Sequence, residues 1–154
     1  MPTHYSRIIA AVDGSEDSSR AAAVAAGLAR DMNRPLTLLY IFPAPEPNEF
    51  VSIDTLPGAL HPETLSPEVL DQAKREAGTK VFVKARQAIG GDSVQIDEKV
   101  VVGTVVPEIL RAAEELKPAL LVVGRRGLGR FGEFMLGSVS NKLVHQGSVP
   151  VLVV

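Results

Sequence analysis

The sequence predicts an α/β protein built on an open parallel sheet with helices on both faces. Two observations carry this prediction: short continuous apolar runs alternate with stretches of helical periodicity, and turn-forming residues separate them. A continuous apolar run is typical of a strand that is buried on both faces. Strands that alternate with helices are joined by right-handed crossovers, which place helices on both sides of a sheet. We expect one domain over residues 1–154.

The first strand is predicted over residues 8–12, which are all apolar, and a polar turn follows it. Within that turn Ser15 is a good N-cap for a helix, and two acidic residues suit the first helical turn. The helix is predicted to turn small alanines and Met32 toward the sheet. It should stop at Asn33, because Pro35 prevents continuation.

A second apolar strand over residues 36–42 is followed by a segment of different composition. Proline is frequent in residues 43–65, between acidic and small residues. Prolines lack a backbone donor and fix φ, so this segment is predicted to be a surface loop. It follows the end of a parallel strand at which ligands bind in such sheets. A role as a lid or partner contact, and an insertion without a role, are both left open.

The second half of the chain continues the alternation. The tripeptide Ser66-Pro67-Glu68 is a strong helix start, and Gly90-Gly91 ends that helix. The strand over residues 94–102 alternates in its first half, so we expect it at an edge of the sheet. A third helix with Pro107 in its first turn ends at Pro118. The remaining predicted elements are a strand over 119–123, a helix over 138–145 and a strand over 149–154.

A glycine-rich stretch over residues 124–140 lies between the fourth strand and the last helix. Strand, glycine-rich loop and helix N-terminus in that order can form a cradle for anions. Backbone N–H groups and the positive end of the helix dipole then face a phosphate. Arg125, Arg126 and Arg130 can add positive charge. The alternative is a surface turn with solvated arginines.

The spacing of this stretch is Gly124, two residues, Gly127, nine residues, then Gly137-Ser138. It resembles the nucleotide-binding signature of the universal stress protein family, and the resemblance runs from Ile8 to Val154. It implies a Rossmann-like α/β fold with a five-stranded sheet in the order 3-2-1-4-5, and it implies ATP binding. In that order the turn at residues 13–15 and the glycine-rich loop would face one crevice, at the point where the strand order reverses.

The predicted nucleotide site draws on several parts of the chain. Asp13 could bond a ribose hydroxyl, hold Mg or Mn through water, or cap the following helix, and these roles can coexist. The resemblance places Val12 and Ile41 against the adenine. The hydroxyls of Ser138 and Ser140 could donate to phosphates or cap the last helix. The predicted contacts are Val12, Asp13, Ser15, Ile41, Val123, Gly124, Arg125, Gly127, Gly137, Ser138, Val139 and Ser140. The predicted ligand is ATP, with ADP and AMP left open.

Several other chemistries lack support in the sequence. There is no P-loop motif and no cysteine, and the three histidines are scattered, so no metal cluster or catalytic triad is assigned. A net charge of −2 argues against binding nucleic acid without regard to sequence. No secretory signal and no apolar segment of bilayer length is evident, so a cytoplasmic protein is expected.

The last strand suggests self-association. The segment Val149 to Val154 is apolar apart from Pro150, a residue that sheets confine to edges and strand starts. An apolar edge is prone to pair with another strand, and a second copy of the chain could cover it. The family resemblance also implies a homodimer through this strand. The alternative is a monomer with a proline at the start of the strand.

These observations favour a regulatory ATP-binding homodimer that responds to stress and acts on an unidentified protein partner. Two alternatives stay open. One is a slow ATPase or nucleotide hydrolase, for which only Asp13, Glu133 and His145 offer a general base. The other is an interaction protein that keeps the fold but binds no nucleotide.

Overall fold

The computed structural model describes residues 4–44, 66–91, 94–127 and 136–154. Residues 45–65 of the predicted proline-rich loop and residues 128–135 of the glycine-rich stretch, including Arg130 and Glu133, lie outside the described residues. The elements in chain order are β1 (Arg7–Ala11), α1 (Glu16–Asp31), β2 (Leu36–Pro43), α2 (Pro67–Ile89), β3 (Ile96–Gly103), α3 (Val105–Glu115), β4 (Ala119–Val123), α4 (Ser138–Gln146) and β5 (Val151–Val153).

The five strands form one parallel sheet in the order β3-β2-β1-β4-β5. This confirms the predicted fold and strand order, and β3 lies at an edge as predicted. The strand order reverses beside β1, which pairs with both β2 and β4. Ala11, the last residue of β1, is in register with Leu39 and Val123. The carboxyl ends of these three strands therefore lie side by side.

The sheet has a separate apolar core on each face. Ile8 and Ala10 of β1 face the layer that contains α1 and α2, whereas Ile9 faces the layer that contains α3 and α4. All three are fully buried. This alternation follows the period of two along a strand, and it explains why the strands read as continuous apolar runs.

Helix α1 packs closely on the sheet because its inner residues are small. Ala21, Ala25 and Ala29 are fully buried, as predicted. The expectation that Met32 belongs to this face is wrong, since its side chain is 36% exposed. The helix ends at Asp31, and Met32 is its C-cap. Asn33 then takes a left-handed conformation with φ of 53°, which ends the helix where predicted.

Strand β5 is shorter than predicted. It begins at Val151, because Pro150 precedes the strand and contributes only its carbonyl, which accepts the Leu121 N–H at 3.0 Å. Val149 is 7% exposed and belongs to the core beside α3 and α4, so its apolar character reflects core packing. None of the helices in the described ranges has the length and apolar content to cross a bilayer.

Candidate functional site

A crevice of about 330 Å³ opens at the carboxyl edge of the sheet, where the strand order reverses. Its volume is near the lower end of the range for small-molecule sites, roughly 300–1,000 Å³. One wall is apolar and comes from the ends of β1, β2 and β4 and from α3. The other wall is polar and comes from the β1–α1 turn, the loop after β4 and the start of α4. The apolar wall includes Ala11, Val12, Leu39, Ile41, Val105, Ile109 and Val123.

The β1–α1 turn presents Asp13 to this crevice. Oδ1 of Asp13 accepts the Ser15 N–H at 2.9 Å, and the Asp13 N–H donates to Oγ of Ser18 at 3.2 Å. Within the described residues no donor meets Oδ2. Asp13 therefore stabilises the turn through Oδ1. Ser15 does not line the crevice, because its buried hydroxyl accepts the Ser18 N–H and caps α1.

Gly124 brings the loop after β4 against the first turn of α1. A Cβ at Gly124 would lie 2.7 Å from the carbonyl carbon of Asp17 and 2.9 Å from the Ser18 nitrogen. Real Cβ atoms do not approach backbone so closely, so only glycine fits here without a shift. In this structure the absence of a side chain at Gly124 serves contact between two parts of the protein, in addition to any contact with a ligand.

Gly127 lies beside the free oxygen of Asp13. A Cβ at Gly127 would be 2.7 Å from Oδ2 of Asp13. The two loops that the sequence predicts to face one crevice thus do meet there. Among the described residues, a side chain at position 127 would collide only with the end of a carboxylate, which can rotate away.

The start of α4 is tied to the same loop. The Gly137 N–H donates to the Arg125 carbonyl at 2.8 Å. Ser140 is 3% exposed, and its hydroxyl lies 2.9 Å from the Arg125 carbonyl and 3.2 Å from the Gly137 carbonyl. Because both neighbours are acceptors, the Ser140 proton is used within the protein in this structure.

Among the described residues no side chain caps α4. Gly137 occupies the N-cap position, and Ser138 is the first helical residue, so the alternative role of the serine hydroxyls as caps is not seen in this structure. Ser138 and Val139 are exposed and line the crevice. The first N–H groups of a helix have no intrahelical partner, and they carry the positive end of its dipole. An anion in the crevice would meet this end of α4.

The arginines after β4 differ in position. Arg126 lines the crevice, whereas Arg125 does not. The Arg125 backbone links the loop to the sheet and to α4, since its N–H donates to the Val154 carbonyl at 2.9 Å. The Arg126 N–H donates to Oδ2 of Asp17 at 3.1 Å. The sequence assigns Asp17 only to the first turn of α1. A local pattern could not predict its bond to Arg126, because the two residues are 109 positions apart.

Other crevice residues are not identified by the sequence. They belong to elements whose patterns indicate only the core or a turn. Leu39 and Tyr40 could have been identified by their position alone, because they directly precede Ile41 near the end of a predicted strand. The additional lining residues are Ala11, Ser18, Leu39, Tyr40, Pro43, Val105 and Ile109.

The negative charge of Asp13 is expected to affect the pKa of the Tyr40 phenol. Burial raises the pKa of the Tyr40 phenol above 10.0, and the negative charge of Asp13 raises it further, because both disfavour the phenolate. In a Tyr5→Phe background, which leaves Tyr40 as the only tyrosine, the absorbance of the phenolate should therefore show a midpoint above 10.0. Asp13→Asn should lower this midpoint only partway, since burial is the larger cause. An unchanged midpoint would contradict the placement of Asp13 near Tyr40.

Of the residues considered as a general base, Asp13 lines the crevice and His145 does not. His145 lies in the last turn of α4, at the opposite end from Gly137. With a rise of about 1.5 Å per residue, it is roughly 10 Å along the helix from the crevice. Glu133 lies outside the described residues. In the part of the chain that the structure describes, no three His, Cys, Asp or Glu side chains form a group that could hold a metal.

The fold and the crevice together define a doubly wound α/β protein with a ligand-type pocket at its topological switch point. The chain belongs to the universal stress protein family, whose model matches residues 4–154.

Known relatives agree with this assignment over nearly the full chain. The sequence is 32% identical to Universal stress protein YxiE of Bacillus subtilis (strain 168), over 97% of this chain and 99% of that protein. The fold is similar to that of the universal stress protein UspA from Lactobacillus plantarum, with a TM-score of 0.74, 20% identity and 97% of each chain covered. A universal stress protein solved in complex with cAMP is 28% identical, with a TM-score of 0.61, and the match covers 98% of this chain and 97% of that one.

Proposed function

We propose that this chain is an ATP-binding regulatory protein that acts as a homodimer in a stress response. The observation that carries the proposal is the convergence of two loops on one crevice, so close that a Cβ at Gly127 would lie 2.7 Å from the free oxygen of Asp13. A universal stress protein of similar sequence is known in complex with cAMP, which supports an adenine nucleotide as the ligand.

In the proposed complex the apolar and polar walls bind different parts of ATP. The adenine packs on the apolar wall against Val12, Ile41 and Val123. The free oxygen of Asp13 accepts a ribose hydroxyl. The phosphates lie against the backbone of Gly124 to Gly127 and the N-terminus of α4, where N–H groups and the helix dipole favour negative charge.

The proposed metal is Mg or Mn that arrives with the nucleotide. Mg²⁺ usually keeps several waters and binds through one or two carboxylates together with substrate phosphates. Asp13 offers one carboxylate oxygen at the crevice, so phosphates and waters supply the remaining ligands. The metal therefore contributes to binding only when a polyphosphate is present.

Two measurements test the nucleotide proposal. Mass spectrometry of freshly purified, denatured protein should detect a co-purified adenine nucleotide. Calorimetric titration of nucleotide-free protein should then show one ATP per chain, with GTP as the control for the base and AMP and cAMP as controls for the phosphates. We expect ATP to bind more tightly than AMP, because only ATP reaches the start of α4. Failure of all four nucleotides to bind would leave a nucleotide-free interaction protein as the better account.

The proposed dimer forms through β5. In the described residues β5 pairs only with β4, and Leu152 at its centre is 36% exposed. An open apolar strand edge favours pairing with a second strand. Nucleotide binding can influence this interface through Arg125, whose N–H bonds the Val154 carbonyl. A protein partner would then recognise the dimer in its nucleotide-bound form in the cytoplasm, with residues 1–154 acting as one unit.

Leu152→Lys is expected to convert the proposed dimer into a monomer, because a charged side chain on an edge strand blocks pairing with another edge. Light scattering after size-exclusion chromatography gives the mass of each variant. Val83→Lys is the matched control, since Val83 is 49% exposed on α2, which packs against β2 and β3 at the other edge of the sheet from β5. A dimeric Leu152→Lys variant would rule out this interface.

A further inference from the structure

Asp17 lies in the first turn of α1, between two arginines and beside the loop after β4. Its side chain is only 14% exposed. One oxygen, Oδ1, pairs with the guanidinium of Arg20. The other, Oδ2, accepts the Arg126 N–H at 3.1 Å and lies 3.8 Å from Nε of the same arginine. One carboxylate thus binds both the backbone and the side chain of a residue that lines the crevice.

We infer that Asp17 is a positioning residue that holds the loop over residues 124–127 in the shape that receives the nucleotide phosphates. The role of Asp17 in nucleotide binding rests on the proposed function, whereas the contact between Asp17 and the loop does not depend on that function. Asp17 is not itself among the residues that line the crevice. It acts through Arg126.

The contact has the properties of a strong anchor. A hydrogen bond from a backbone N–H to a carboxylate is roughly twice as strong as one between neutral groups. Partial burial reduces screening by water and salt. The backbone of Asp17 makes a second contact with the loop. Gly124 packs so closely on the Asp17 carbonyl that a Cβ at position 124 would come within 3 Å of that carbonyl. The first turn of α1 therefore fixes the loop at two points, Gly124 and Arg126.

Asp17 affects only one half of the proposed site. The apolar wall consists of strand ends and α3, which make no use of the Asp17 side chain. The loop amides and the Arg126 guanidinium belong to the polar wall, where the phosphates lie. Loss of the Asp17 carboxylate should therefore weaken binding of ATP far more than binding of adenosine, which has no phosphate. A general loosening of the fold would weaken both ligands alike.

The variants that test this inference are Asp17→Ala, Asp17→Asn and Glu16→Ala. Glu16→Ala is the matched control. Glu16 is an exposed acid in the same helical turn, so its loss removes the same kind of helix-dipole interaction without affecting the contact between Asp17 and the loop. By calorimetry, Asp17→Ala should weaken ATP binding by about tenfold, the effect of losing one hydrogen bond to a charged group. Adenosine affinity should change by less than about twofold, as should both affinities in Glu16→Ala. Asp17→Asn should recover part of the loss, because its amide oxygen can accept the Arg126 N–H.

A second measurement uses the protein without ligand. Amide hydrogen exchange followed by NMR should show the Arg126 N–H exchanging about tenfold faster in Asp17→Ala than in wild type, and at the wild-type rate in Glu16→Ala. Faster exchange with equal losses of ATP and adenosine affinity would assign Asp17 a merely structural role and overturn the inference. Unchanged exchange would also overturn it. If wild-type protein binds no nucleotide, the proposed function fails, and the exchange rate alone decides whether Asp17 anchors the loop.

Discussion

Gly124→Ala is expected to lower the free energy of unfolding by about 1–3 kcal/mol, the usual cost of forcing a methyl group into packed structure. The new Cβ would lie 2.7 Å from the carbonyl carbon of Asp17 and 2.8 Å from its oxygen. Because these are backbone atoms, the clash is relieved only by moving α1 away from the loop. ATP binding should weaken as well, since the β1–α1 turn and the loop after β4, which both belong to the polar wall of the crevice, are pushed apart.

Thermal unfolding measures this effect, with an expected fall in Tm of about 3–10 °C for a chain of this size. Gly27→Ala is the matched control. Gly27 lies inside α1, and its Cβ would meet only the end of the Arg30 side chain at 3.8 Å, an ordinary contact. Alanine there should stabilise the protein by up to about 1 kcal/mol through helix propensity. The two substitutions should therefore have opposite signs, and a Gly124→Ala protein as stable as wild type would refute the close approach.

Gly127→Ala is expected to weaken ATP binding by about tenfold while leaving the stability nearly unchanged. Its Cβ would meet Oδ2 of Asp13 at 2.7 Å, so the carboxylate must rotate away from its place in the crevice. Rotation of this carboxylate weakens at most its hydrogen bond from the Ser15 N–H, so the free energy of unfolding should fall by no more than about 1 kcal/mol. ATP binding weakens because the displaced oxygen of Asp13 no longer contacts the ribose or the metal.

A double-mutant cycle isolates this mechanism. In an Asp13→Ala background, Gly127→Ala should cause little further loss of ATP affinity, because the group that it displaces is already gone. Gly91→Ala is the control for a glycine away from the site, since Gly91 lies before the start of β3 and its Cβ would meet no described atom within 4 Å. Additive losses in the double variant would show that Gly127 acts independently of Asp13.

Much of the fold is predictable because its signals are local. Ser15 and Ser66 each accept an N–H three residues later, as the capping patterns predict. The apolar runs form strands because burial on both faces of a parallel sheet requires them to be apolar throughout. The prediction fails where a local signal has two causes. Val149 is apolar because it packs in the core, whereas the apolar run alone would include it in the last strand.

The candidate site is only partly predictable because its contacts join distant parts of the chain. The glycine spacing indicates a tight loop, but not that Gly124 lies against the backbone of Asp17. Likewise, Val105 and Ile109 follow ordinary core periodicity in α3, and only the packed structure places them on the crevice wall. The side-chain pairing of Asp17 with Arg126 has no counterpart in sequence patterns.

The most direct test of the proposed function is a crystal structure of the protein grown with saturating ATP and Mg²⁺. We expect the adenine beside Ile41 and Val123, the ribose at Asp13, and the phosphates against the backbone of residues 124–127 and the first turn of α4. ATP bound elsewhere on the protein, or a crevice that stays empty while the protein is saturated in solution, would contradict the proposal.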